Sequence, residues 1–186
     1  VQKMPVAVMD TDFIVWDKLD FDAYSDAAVI HFEDITEVYP PKEFFKMKEK
    51  YSFPEWLDWD INACNTAFYA VKNQNFVKRY TDTAIRFMEN AEDTGDRLHY
   101  MIFAEQRLFN MCAKAEGINV TGIAGLEKLY NENKSFTHLW GMKQQMRGDE
   151  NLRRSFCRDC IKRIESDYPE ILKVLRNMNC FDEYFN

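Results

Sequence analysis

The sequence predicts an α/β fold, a mixed sheet flanked by helices and followed by a helical tail. Short apolar runs of strand-forming residues, Val6 to Met9 and Ala27 to Phe32, precede long stripes of helical period from Phe76 onward. A chain of 186 residues with 15 Phe, 9 Tyr and 4 Trp can bury one real core without metal or disulfide staples. From Glu150 to the end the apolar positions keep helical spacing. These features suggest one domain over 1–186, with the sheet region and any ligand site in 1–145 and the helical tail in 146–186.

The first strand leads directly into Asp10 and Asp12, after which apolar residues resume through Trp16. Two neighbouring carboxylates repel, so placing them at the end of a buried element costs stability unless a cation, a proton or a phosphate-bearing ligand offsets the charge. Open α/β sheets also put their ligand crevice at the carboxyl ends of strands. Asp10 and Asp12 are therefore expected to carry a divalent metal, with two solvated turn aspartates as the plainer alternative.

Trp16 to Asp26 reads as an acidic connection anchored by Leu19, Phe21 and Tyr24. Ala27 to Phe32 is the second strand, and its His31 is expected to be a satisfied sheet histidine rather than a ligand. Pro41 opens a short helix through Lys50. Tyr51 to Asp60 is an aromatic loop: Trp56 and Trp59 can stack on a sugar ring while Asp58 and Asp60 take its hydroxyls, or else plug the core.

Ile61 to Val71 starts polar and ends as a strand from Ala67. Asn75 is expected to cap a helix from Phe76 to Ala91, whose Phe76, Tyr80, Ala84, Phe87 and Ala91 form one apolar stripe. After a polar break at Glu92 to Asp96, His99 to Glu116 is a second helix containing Glu105 and Gln106, and Gly117 ends it. Ile118 to Thr121 is a short strand, Leu126 to Lys134 is polar, and Ser135 to Gly141 is a strand-to-loop transition carrying His138, with Lys143 beyond. Pro169 starts the last helix.

The formal charge of −7 argues against nucleic acid and anionic membrane surfaces as partners, but not against a nucleotide neutralised locally by a metal. The five cysteines form no even framework, so reduced thiols and a cytoplasmic location are expected. Cys157 and Cys160 lack the further soft ligands of a zinc site. There is no apolar run long enough for an integral membrane segment and no signal-peptide pattern. The chain starts without Met and reaches a core strand almost at once, which fits the later part of a longer domain.

Mg2+ or Mn2+ prefers oxygen ligands, Mn2+ accepts an imidazole, and both leave positions for water and substrate phosphate. Asp10, Asp12 and a histidine from a later strand end make such an open site, and Lys143 or Arg147 can hold a phosphate oxygen. No phosphate-cradling Gly-x-x-x-x-Gly-Lys, Gly-x-Gly-x-x-Gly or Gly-x-Ser-x-Gly occurs, which weighs against ATPases, dinucleotide enzymes and serine hydrolases.

Asp10-Thr11-Asp12 after a strand resembles the Asp-x-Asp motif of nucleotide-sugar-dependent glycosyltransferases of the GT-A fold, glycogenin-like or capsular-polysaccharide-type. Three later blocks resemble the same superfamily in order: Asn65-Thr66-Ala67-Phe68-Tyr69, then Glu105-Gln106, then His138-Leu139-Trp140-Gly141. The resemblance implies the C-terminal part of a GT-A fold, Mn2+ as cofactor, a nucleotide-sugar donor, and a saccharide or other hydroxyl as acceptor. It makes Asp10, Asp12 and His138 the metal ligands, with Thr11 and Lys143 on the donor. Asn65, Glu105 and Gln106 then line the sugar and acceptor side, with Asp58 or Asp60 as base if the outcome is inversion. The family's N-terminal base-binding portion has no counterpart before Asp10, and Ala67 stands where the family usually has Gly. A homo-oligomer stays open. The alternatives are a haloacid-dehalogenase-like phosphatase, with Asp10 as nucleophile and Asp12 as acid-base, and a non-catalytic interaction domain.

Overall fold

The computed structural model describes residues 5–20, 23–24, 26–33, 48–91, 97–124 and 135–185. The chain divides into two compact units, Val1–His138 and Leu139–Asn186.

The first unit is a mixed α/β structure. Its main sheet has four strands: β1 (Val6–Met9), β3 (Ala27–Val29), β6 (Phe68–Val71) and β7 (Val120–Gly122), in the spatial order β1-β6-β3-β7. β6 is antiparallel to both β1 and β3, and β7 is parallel to β3. β1, β3 and β7 therefore point the same way and their carboxyl ends share one edge. Two short antiparallel ribbons extend that edge. One pairs β2 (Phe13–Val15) with β8 (Phe136–His138), and the other pairs β4 (Phe32–Glu33) with β5 (Ala63–Cys64).

The period-2 alternation of the strands builds a core on each face of the sheet. Ala27 and Val29 of β3, with Tyr69 and Val71 of β6, pack with the helices around Phe76, Phe103 and Phe109. Ala28, Ile30, Phe68 and Ala70 pack on the other side with Phe13 and Phe136. The expected strand from Ala27 to Phe32 is two, because pairing changes partner at its middle. Ile30 donates to the Asn65 carbonyl (3.1 Å), and the His31 carbonyl accepts from Asn65 N (2.8 Å), handing the strand from β6 to β5.

The first helix, α1 (Gln74–Asn90), is capped by Asn73 and not by Asn75. Asn73 has the extended backbone a cap needs, and its side chain accepts from Asn75 N (3.0 Å) and Phe76 N (3.4 Å); Asn75 already lies in the first turn. A cap of this kind contributes about 1 kcal/mol. Arg97 to Ala115 then forms α2 (Arg97–Ile102), a π-helical turn over Phe103–Arg107, and α3 (Leu108–Ala115). Gly117, at φ +66°, ends it, since only glycine takes that conformation without strain. Ile118 N bonds back to Ala113 O (2.9 Å), so β7 starts at Val120, later than Ile118.

Residues 48–50 are helical, as expected before Tyr51, but the onset at Pro41, the break at 92–96 and the polar stretch 126–134 lie outside the described residues. Of the two loop tryptophans, Trp59 is buried and stacked on Phe103 (5.5 Å), which removes it as a sugar platform, whereas Trp56 is exposed.

In the second unit the strand-to-loop expectation at Trp140 and Gly141 is overturned. Both residues open α4 (Trp140–Gly148), which is followed by α5 (Glu150–Asp167), α6 (Pro169–Leu175) and a 3-10 turn (Asn179–Tyr184). Asp149 caps α5 by accepting from Leu152 N (3.0 Å), Pro169 fills the first turn of α6, and Arg154 bridges Glu150 and Glu183. Cys157 and Cys160 are free, half-buried thiols on α5. Among the described residues no helix is long and apolar enough to cross a membrane.

Candidate metal centre

β1 ends where its backbone still has a partner: Asp10 N donates to Ala67 O (2.7 Å). The Asp10 carbonyl accepts from Phe13 N (3.1 Å), so residues 10–13 close a tight turn around Thr11 and Asp12. Phe13 pins that turn, buried and stacked on Phe68 (5.4 Å) and Phe136 (4.8 Å). In the β2-β8 ribbon Phe13 is registered opposite His138, and Trp16 Nε1 donates to Thr137 Oγ1 (2.6 Å). A histidine far away in sequence is thereby brought to the same strand end.

The result is a group in which one ligand atom each from Asp10, Asp12 and His138 lies within 4.8 Å of the others. His138 Nε2 is 3.8 Å from Asp12 Oδ2. Asp12 and His138 are half-buried and Asp10 is exposed, so the group opens to solvent on one side. Donors around an octahedral ion at about 2.1 Å stand about 3 to 4 Å apart, so a small closure fits these three to Mn2+ or Mg2+ and leaves positions free. Two carboxylates with one imidazole favour Mn2+ among the hard ions.

Further polar groups border the same edge. Glu105, on the π-helical turn, carries a carboxyl raised above its usual range, first by burial and then by the charge of Asp10. The native state thus holds this proton more tightly than the unfolded chain, and stability falls as pH rises through the raised value. Metal-free Glu105→Gln should therefore be more stable than wild type at pH 7. The difference should vanish below the ordinary glutamate range, about pH 4.3, as read by urea midpoints across pH.

Asn65 is committed at both ends of its side chain: Nδ2 donates to Glu33 Oε1 (3.3 Å), and Oδ1 accepts from Ala67 N (3.2 Å). Ala67 itself is buried in the second core, beside Phe68. Gln106 has a buried side-chain oxygen with no hydrogen-bond partner among the described residues. Thr11 is exposed on the turn. Asp60 lies outside the three-residue group, on the Trp59 loop, where it and Asp58 oppose the effect of burial on Arg107. That guanidinium is buried, donates to the Trp59 carbonyl, and is pushed down to about 10. Lys143 and Arg147 belong to the second unit, exposed on α4.

The residues that sequence reasoning missed are His31 and Glu33. His31 is expected to be a satisfied histidine, yet neither ring nitrogen has a hydrogen-bond partner of good geometry among the described residues, although Nε2 stands 2.9 Å from Glu33 Oε1. The signal was the spacing: two polar residues separated by one in an extended segment share a face, so an acid two positions after a histidine marks a pair.

A family model described as a family of unknown function, DUF6734, matches residues 1–178. No curated protein and no solved structure matches the chain.

Proposed function

We propose that this chain, which belongs to the DUF6734 family of unknown function, is a metal-dependent glycosyltransferase that moves a sugar from a nucleotide-sugar donor to an acceptor hydroxyl. The observation that carries this reading is the convergence of Asp10, Asp12 and His138 at the carboxyl edge of the parallel strands. The mixed sheet flanked by helices is compatible with the C-terminal part of a GT-A fold, and the order of the four sequence blocks adds the resemblance.

In this reading Asp10, Asp12 and His138 would hold Mn2+, which would supply positive charge against the diphosphate leaving group. The bond from the anomeric carbon to the diphosphate oxygen breaks, and its electron pair stays with the diphosphate. The acceptor oxygen bonds to the anomeric carbon and releases its proton. Glu105, with a carboxyl raised by burial and by Asp10, is the candidate to take that proton. Asn65 and Gln106 line the sugar side.

The test is a panel of sugar nucleotides incubated with the protein and MnCl2, with and without hydroxyl acceptors, read as released nucleoside diphosphate and glycosylated product. At least one donor should turn over only with metal, and Asp12→Asn should slow it about a hundredfold or more. Inert behaviour toward every donor under saturating Mn2+ would overturn the proposal. Phosphate release from small phosphoesters without any nucleotide-sugar would favour the phosphatase instead.

A further inference from the structure

Behind the three candidate ligands lies a polar chain that a core has no need of. Glu33, on β4, is 7 % exposed, and His31, just before that strand, 5 %. Burying a close polar pair seldom adds stability over apolar residues of the same size, and here neither imidazole nitrogen has a hydrogen-bond partner of good geometry among the described residues. The connectivity runs toward the metal centre. His31 Nε2 stands 2.9 Å from Glu33 Oε1, and the same oxygen accepts from Asn65 Nδ2 (3.3 Å). Asn65 Oδ1 then holds Ala67 N (3.2 Å), and the Ala67 carbonyl holds Asp10 N (2.7 Å).

A second route reaches the other side of the group. Burial pushes the Glu33 carboxyl up, but its close contact with His31, the hydrogen bond from Asn65 and the charge of His138 outweigh burial and hold it below the usual range. Glu33 is thus within electrostatic reach of one candidate ligand and three hydrogen bonds, through Asn65 and the backbone of Ala67, away from another.

We propose that Glu33 is a positioning residue of the metal centre: through Asn65 and the Ala67 peptide it fixes the backbone that presents Asp10, and it supplies a buried negative charge beside His138. This rests on the reading of Asp10, Asp12 and His138 as metal ligands. Outer partners of this kind act by aiming the ligands and by adding to the field at the cation. Because Gln keeps the shape of Glu and can still accept from Asn65, its effect separates charge from packing.

The experiment is calorimetric titration of MnCl2 into wild type, Glu33→Gln, Glu33→Asp and Asp12→Ala, each checked for its metal-free melting midpoint. With that midpoint retained, Glu33→Gln should bind Mn2+ about tenfold more weakly. Glu33→Asp should recover most of the loss. Should Glu33→Gln fail to fold, the double replacement His31→Leu with Glu33→Met removes the pair together, leaves no unpaired buried charge, and carries the same expected loss. Wild-type affinity in folded Glu33→Gln, alongside lost binding in Asp12→Ala, would overturn this inference and leave the ligand set standing. Equal weakening in Glu33→Asp and Glu33→Gln would overturn the role given to charge. No Mn2+ binding by wild type would overturn both the ligand set and the inference.

Discussion

At a hundredfold excess of Mn2+ over its dissociation constant, the wild-type chain should gain about 2.7 kcal/mol of stability, and Asp12→Ala should gain none. For a chain of this size the gain corresponds to about 5 to 10 °C in the melting midpoint. The effect is large because the cation would bind only the folded arrangement: the unfolded chain does not hold Asp10, Asp12 and His138 within 4.8 Å of one another. Asp12 is the informative position, half-buried in the tight turn and 3.8 Å from the imidazole. A metal-dependent rise that survives both Asp12→Ala and His138→Ala would show that the ion binds elsewhere.

Replacing Phe109 by Ala should cost about 3 to 5 kcal/mol, the largest effect on stability expected from one substitution in this chain. Phe109 is fully buried, with Tyr69 (5.1 Å), Phe76 (5.3 Å) and Tyr80 (5.1 Å) around its ring. Those residues come from β6 and α1, so the cavity would open where the sheet meets the helices and could not collapse without moving both. Urea unfolding should shift to markedly lower midpoint, whereas Val174→Ala, at a surface position of the second unit, should stay within about 0.5 kcal/mol of wild type. A loss below about 1 kcal/mol at Phe109 would mean that the aromatic cluster does not hold the first unit together.

The same cluster shows what local pattern conveys and what it does not. The unbroken apolar run Ala27 to Ile30, buried on both faces, and the stripe through Phe76, Tyr80 and Phe87 encode burial directly, because side-chain direction repeats every two residues in a strand and every 3.6 in a helix. Trp59 carries no such period. Its burial against Phe103 depends on how a loop folds over a distant helix, and sequence alone could not separate a core plug from a sugar platform. The Asp10 and Asp12 pair was picked out because charge interrupts an apolar run, although β1 ends the strand order and is largely exposed, Met9 at 51 %, and is not the buried element expected. His138 entered only through its resemblance to a known block, since its proximity to Asp12 depends on the β2-β8 register. Asn73 outcompetes Asn75 as cap by backbone conformation, which adjacent asparagines do not reveal. Glu33 was overlooked because its partners, His31 and Asn65, are gathered by a change of strand pairing that apolar periodicity does not record.

The π-helical turn at Phe103–Arg107 means that the long helix carries one residue more than its regular ladder needs. Excising a single residue there would let the ladder close into ordinary α pitch, a modest change for folding. The flanking turns would keep their faces, because the π turn absorbs the extra residue within itself, and the residues inside Phe103–Arg107 would be re-aimed. Glu105 would then turn away from Asp10, while Tyr80, whose hydroxyl donates to the Glu105 carbonyl (3.0 Å), would lose its anchor. Chain length at this one point thus sets where Glu105 is aimed, inside a turn whose Phe103 and Arg107 are buried.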